Sequence, residues 1–475
     1  MRRFIFIFLL FALTPLCKAA DQPLLFQSPT LSKDQIAFVF AGDLWIVGRN
    51  GGRATRLTTG SGVESHPYFS PDGSLIAFTG QYDGNTDVFV VSANGGVPQR
   101  LTYHPGEDVT VGWTPDGTKI LFRSPRYSYR DSDRLFTVSP TGGFPSEVPL
   151  PRAEEGSYSP DTQQLAYVPL FQWQPAWKRY RGGQTKPIWI ANLKDSSVEP
   201  LPRENSNDYN PMWIGNSIYF LSDRKGPVAL FRYDIPSKQV TQVVQNNGFD
   251  FKHASAGPGG IVYEQLGSLH LFDLATNSEK EIQINVEGDF PEVRPHFQKV
   301  PASSLTNGHL SPTGIRAVFE ARGEIVTVPS EKGDIRNLTR STSVMERDPA
   351  WSPDGKWVAY FSDESGEYAL HIESQNGVGD VRKINLGTPP SFFYAPRWSP
   401  DSKKIAYTDK RLNTWYVDVE KQKPVKVDTD YYESYIRERD PVWSPNSQWI
   451  AYAKFLPNHL HAIFIYSLES GKTQQ

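Results

Sequence analysis

One cysteine, Cys17, and three methionines are all the sulfur that this 475-residue chain carries. Disulfide staples, Cys-ligated zinc, iron–sulfur clusters and cysteine nucleophiles are thereby excluded beyond residue 17. An excess of positive charge is also missing. The formal net charge is -3, so nothing marks a nucleic-acid partner. Only one apolar run stands out, Phe4 to Leu13, and it is shorter than the ~20 residues a membrane span needs. The common hydrolytic motifs are absent as well: no Gly-x-Ser-x-Gly elbow, no Walker loop, no His-Glu-x-x-His and no EF-hand loop. Ser255, in His253-Ala-Ser-Ala-Gly257, lacks the first glycine of an elbow. Nucleophilic and metal-hydrolytic mechanisms have no anchor here, and neither a catalytic residue nor a cofactor or metal is expected.

What is there begins with an export signal. Arg2 and Arg3 precede the apolar run, and small residues follow at 17 and 19, so residues 1–20 read as a signal peptide. Cleavage fits best after Ala19; Cys17 is the alternative as a lipid-attachment site. The expected location is periplasmic or secreted, with no membrane span once the signal is removed.

The rest of the chain is built from one repeated unit. Tyr68-Phe-Ser-Pro-Asp-Gly73 recurs as Trp113-Thr-Pro-Asp-Gly117, Trp351-Ser-Pro-Asp-Gly355, Trp398-Ser-Pro-Asp-Ser402 and Trp443-Ser-Pro-Asn-Ser447. Each copy sits between short apolar runs, as in Ile76-Ala-Phe-Thr79 and Asp87-Val-Phe-Val-Val91. Proline presets the turn, aspartate caps it, and glycine takes the positive φ that closes a hairpin. A period of ~40–50 residues with four short strands predicts an all-β propeller. Six units precede a break and four follow it. The expected domains are a six-bladed β-propeller over 21–284, a linker over 285–302 with two prolines in Gly288-Asp-Phe-Pro-Glu-Val-Arg-Pro295, and the first four blades of a second propeller over 303–475. Four such blades would leave a blade face and a sheet edge open, so the second ring is expected to be truncated here or completed by another chain.

Few residues suggest chemistry outside the repeat. Asp72, Asp116 and Asp354 recur at the same turn, which points to a structural role. His459 and His461 share a strand face but have no third metal ligand nearby. Arg126 and Arg130, with Tyr127 and Tyr129, occupy a longer turn and could clamp a peptide carboxylate bidentately, or pair with Asp131 and Asp133 as an ordinary solvated hairpin. The insertion Phe171 to Gln184 mixes aromatics and cations, and would serve either as a recognition surface or as packing over its blade.

The stretch Leu310-Ser-Pro-Thr-Gly-Ile-Arg-Ala-Val-Phe319 through Gly333-Asp-Ile-Arg-Asn-Leu-Thr339, Glu346-Arg-Asp-Pro-Ala-Trp351 and Tyr360-Phe-Ser-Asp-Glu364 resembles the opening of the second propeller of tricorn proteases. The resemblance extends over essentially the whole mature chain. It implies a six-bladed propeller followed by a seven-bladed one that gate peptide entry and product exit, with a PDZ domain and a serine peptidase region beyond them. It also implies homo-oligomers acting on peptides or unfolded polypeptides, with propeller arginines anchoring the substrate carboxylate; Arg126 and Arg130 are the nearest positions. No catalytic residue carries over. Two rivals share the blade motif. A TolB-like envelope scaffold would place an α/β domain where repeats already begin. A prolyl oligopeptidase-type enzyme would place its hydrolase where the second set of repeats begins.

Overall fold

The computed structural model describes residues 25–128, 132–171, 178–288, 299–341, 343–432 and 440–475. The expected signal peptide therefore lies outside the described residues. Among the described residues helix is confined to one 3-10 turn, Ala302–Ser304, and no helix is long and apolar enough to cross a membrane. Two compact units are present, 1–291 and 292–475. Both are built from four-stranded antiparallel sheets whose strands follow chain order from inner to outer.

Among the described residues, six sheets make up the first unit and four the second. The repeat grammar explains each hairpin. In the second sheet, Ser70 Oγ donates to Asp72 Oδ1 (2.5 Å), the Leu75 N–H donates to Ser70 Oγ (2.9 Å) and the Ser74 N–H to Asp72 Oδ1 (3.1 Å). Gly73 supplies the required φ of +75°. Ser352, Asp354 and Gly355 repeat the arrangement in the second unit, as do Ser399 and Asp401. The aspartates of the turns are thus structural, as their recurrence predicts.

A second clip holds the outer strand. Arg56 reaches Asp43 at the start of the third strand, and the Thr58 hydroxyl accepts the Leu44 N–H (2.9 Å). Arg100, Asp87 and Thr102 do the same one sheet later. In the second unit Thr339 accepts the Ile325 N–H and donates to Glu324. Arg-Leu-Thr is therefore a sheet-closing device.

Apolar side chains fill the space between neighbouring sheets. Ala37, Val39 and Leu44 of the first sheet meet Phe69, Ile76 and Phe78 of the second. The first sheet's opposite face, with Leu31, Phe38 and Val47, packs on Val262, Leu269 and Leu271 of the sixth. The row of six thus returns to its start. Burial on both faces is why these strands read as continuous apolar runs. Closure is tight: a Cβ on Gly257 would lie 2.2 Å from the Leu31 carbonyl oxygen. A fifth strand, Ile284–Val286, runs parallel to the outer strand Gly52–Arg56 of the first sheet. Two residues read as linker from sequence, Asn285 and Val286, therefore belong to this strand, because a parallel edge addition leaves no turn signal.

In the second unit the third and fourth sheets meet through Ala406, Trp443, Ile450 and Tyr466. The fourth sheet alternates: Ile450 and Tyr466 are buried, while Ile463, Ile465 and Trp449 on its other face are 61%, 43% and 38% exposed.

Candidate functional site: a channel through the first unit

The six inner strands are Gln27–Leu31, Val63–Phe69, Val109–Trp113, Glu155–Tyr158, Asp208–Ile214 and Phe251–Gly257. They surround a cavity of about 650 Å³ to which all six sheets contribute. Most of these strands carry a register shift against their neighbour, between Ser65 and Tyr68, Tyr209 and Met212, and Lys252 and Ala254 among others. The extra residue takes a left-handed conformation: φ is +49° at His66, +55° at Asn210 and +40° at His253. A bulge re-aims a side chain, and here the re-aimed residues line the channel.

The walls are stitched together by polar contacts between sheets. Asn210 Nδ2 donates to the Ala254 carbonyl and Asn210 Oδ1 accepts the Ala254 N–H, both at 2.7 Å. The Asn210 N–H donates to Glu155 Oε2. The charged groups are Arg123, Glu154, Glu155 and Lys186. Arg123 donates to Glu154 (2.8 Å) and lies 3.6 Å from Asp133. Burial, reinforced by Glu154, pushes the Asp133 carboxyl up to about 6. The Lys186 ammonium has Glu155 Oε1 at 4.0 Å and the Tyr209 ring at 5.4 Å. His66 and His253 meet edge to face at 6.0 Å. Burial, with His253 and Arg123 nearby, pushes the His66 imidazole down to about 3, so it is neutral at any physiological pH. Among the described residues no group of three His, Cys, Asp or Glu could hold a metal.

Arg126 lies outside this channel wall. Its guanidinium donates to Asp108 and to Ser124 Oγ (2.9 Å) and sits 5.2 Å from the ring centres of both Phe122 and Phe136. Arg224 repeats the arrangement two sheets on, with Asp208 (2.7 Å), Ser222 (3.1 Å), Phe220 and Phe231. A side chain that recurs with its partners serves the sheet. Arg130 and Tyr129 lie outside the described residues, while Tyr127 is 78% exposed. Of the insertion, 172–177 lie outside the described residues. The rest is pinned to the fifth sheet's loops, Arg179 to Asp250 (2.7 Å) and Arg181 to Asp223 (2.9 Å), so this part packs. Phe171 lines the channel. His459 and His461 both lie against Phe455, at ring distances of 5.9 and 4.5 Å.

The channel residues His66, Glu155, Lys186, Asn210 and His253 escape sequence reasoning because none belongs to a motif. One signal was available: three of them sit three residues before the strand-ending ring, as Glu155 does before Tyr158.

The family model for the tricorn protease N-terminal beta propeller domain matches residues 23–278, and that for the tricorn protease second beta propeller domain matches 305–475. The chain belongs to the tricorn protease family. Its all-β units are two propeller domains of that family. Tricorn protease homolog 1 of Streptomyces coelicolor is 26% identical over 352 residues, covering 72% of this chain and 32% of the homolog. The tricorn protease homolog of Saccharolobus solfataricus is 24% identical over 434 residues, covering 90% and 39%. The chain thus spans about a third to two fifths of the length of these relatives. The crystal structure of the tricorn protease superposes with a TM-score of 0.65 at 22% identity, over 95% of this chain and 44% of that one, which shows a shared fold. A shorter likeness, 40% identity over 76 residues, links 13% of the chain to 17% of the Tol-Pal system protein TolB of Hahella chejuensis.

Proposed function

We propose that this chain is the non-catalytic N-terminal propeller part of an exported tricorn-type serine peptidase, periplasmic or secreted after loss of residues 1–20. The first unit is a closed ring of six blades and the second is the first four blades of a larger ring. The observation that carries the reading is the pair of family matches, one per propeller, together spanning 23–475 with a short gap. The axial channel of the first unit is the peptide route, and the catalytic machinery and homo-oligomeric assembly belong to the full-length protein. Within the channel Arg123 is committed to Glu154, whereas among the described residues Lys186 has no carboxylate closer than 4.0 Å. Lys186 is the cation best placed to meet a peptide carboxylate; Arg126 is spent on Asp108.

Purified residues 21–475 should bind short peptides, lose that binding with Lys186→Glu, and hydrolyse no fluorogenic peptide. Inhibitor-sensitive cleavage by this chain would contradict the non-catalytic assignment. A coding sequence that continues past residue 475 without PDZ and Ser/His peptidase regions would overturn the peptidase reading. It would favour instead the envelope scaffold suggested by the TolB likeness, tested by capture of envelope proteins in place of peptides.

A further inference from the structure

The channel changes character along its axis. The inner strands all enter at one end, where the bulged and charged residues lie, and leave at the turn to the second strand, Ser70-Pro71 in the second sheet and Ser159-Pro160 in the fourth. At the entering end stand His66, Arg123, Glu155 and Lys186. At the leaving end no charged residue lines the wall among the described residues. There the strand-ending positions of the third, fourth and fifth sheets carry Trp113, Tyr158 and Trp213, each half-buried. At the same position the sixth sheet carries the small Ala256, and the first and second carry Leu31 and Phe69, which are buried. The rings are held in place. Trp113 Nε1 donates to the Tyr68 carbonyl (2.9 Å) and Trp213 Nε1 to that of Gly215 (3.0 Å). Their outer faces pack on the apolar layers between sheets, so only part of each ring is offered to the channel.

We propose that Trp113, Tyr158 and Trp213 form a ring-binding subsite that takes an aromatic side chain of a short peptide, while the peptide's charged terminus lies in the zone of Lys186 and Glu155. The inference rests on reading the channel as a peptide route and adds to it a substrate class. The two zones are three residues apart on the wall strands, roughly 10 Å. An extended peptide covers that in about three residues. The favoured ligands are therefore short peptides with an aromatic residue at or near one end, held by ring–ring contact at the neutral end and by charge at the other.

The test is titration of the chain 21–475 with acetyl-Phe-Gly-Gly and acetyl-Ala-Gly-Gly, followed by calorimetry and by tryptophan fluorescence. Acetyl-Phe-Gly-Gly should bind about tenfold more tightly, a factor that the contact of one ring can supply. Trp213→Leu and Tyr158→Leu, checked for unchanged melting, should remove that preference and leave acetyl-Ala-Gly-Gly binding as it was. Lys186→Gln should weaken both peptides alike. Equal affinity for the two peptides in the unsubstituted chain, which needs no variant to fold, overturns the subsite and leaves the peptide route standing. So does a preference that survives both substitutions. Failure of both peptides to bind overturns the route and the subsite together.

Discussion

Replacing Arg126 with alanine separates two roles for the arginine-rich turn of the third sheet. Its side chain is 10% exposed and that of its partner Asp108 is fully buried. Removing the guanidinium leaves a buried carboxylate without its cation, which costs about 3–5 kcal/mol when a buried pair is broken from one side. Asp108 has little else to fall back on. Among the described residues its Oδ1 has no hydrogen-bond partner, whereas Oδ1 of the equivalent Asp208 accepts from Ser206 (2.9 Å) and Ser222 (2.6 Å). Two rings also lose the cation lying between them. At roughly 2–4 °C per kcal/mol for a unit of this size, Arg126→Ala should lower the melting temperature of the first unit by about 10 °C. Arg224→Ala should cost somewhat less, because Ser206 and Ser222 still serve Asp208. The assay is differential scanning calorimetry of the whole chain, with acetyl-Phe-Gly-Gly binding measured below the transition. Asp108→Asn combined with Arg126→Met should recover most of the loss, since a buried ion pair replaced by groups of matching size is often neutral. A variant Arg126→Ala that melts like the parent but no longer binds peptide would refute this reasoning and restore the arginine as a carboxylate clamp.

Glu64 gives a pH dependence. Burial, only partly offset by the Tyr82 hydroxyl, and Asp43 nearby push its carboxyl up to about 7. A raised carboxyl pKa means that the folded state holds a proton the unfolded state releases near 4.5. The contribution is full below about 4.5 and is lost as pH rises through about 7. Its upper limit is about 3 kcal/mol at about 1.4 kcal/mol per unit. Urea melts at pH 5 and pH 8 should differ in the parent chain and differ less in Glu64→Gln, where the raised carboxyl of Asp133 still contributes; an undiminished difference in the variant would disprove the assignment. Gly257→Ala should destabilise the first unit by about 1–3 kcal/mol through overpacking, because the new methyl meets the Leu31 carbonyl at ring closure. Wild-type melting of that variant would show that the sixth and first sheets do not meet so closely. Ser352→Ala, at a fully buried turn serine that bonds Asp354 and the Trp357 N–H, should cost about 1–2 kcal/mol in the second unit. Chemical denaturation reads it, and no change would deny the serine its turn-closing role.

The sheets were legible because their signals are local and repeated. Ser-Pro-Asp-Gly states its own hydrogen bonds within a few residues, and Arg-Leu-Thr closes on an aspartate thirteen residues back at Asp43 and Asp87. Strand Ile284–Val286 was not legible. Its partner is Gly52–Arg56, at the far end of the unit, and nothing in its three residues announces a parallel pairing. The clamp reading of Arg126 shows the opposite hazard. Arginines crowd that turn in sequence, but the repeat equivalent Arg224, which stands in no crowded segment, reveals the role.

Repetition serves as an internal control on function in such a chain. Where a position carries the same residue with the same partners in several sheets, backbone demand explains it: the turn serines, the clip threonines, Arg126 with Arg224. The channel obeys the other half of that logic. The bulge recurs from sheet to sheet, so the backbone requires a left-handed residue there. Yet the residues that fill it differ, with histidine at 66 and 253 and asparagine at 210. The strand-ending position differs as well, from Leu31 and Ala256 to Trp113 and Trp213. A scaffold that fixes the geometry but not the side chain leaves that side chain open to ligand chemistry. Lys186, Glu155 and the ring wall are therefore where ligand selection is to be sought, and the repeat aspartates are not.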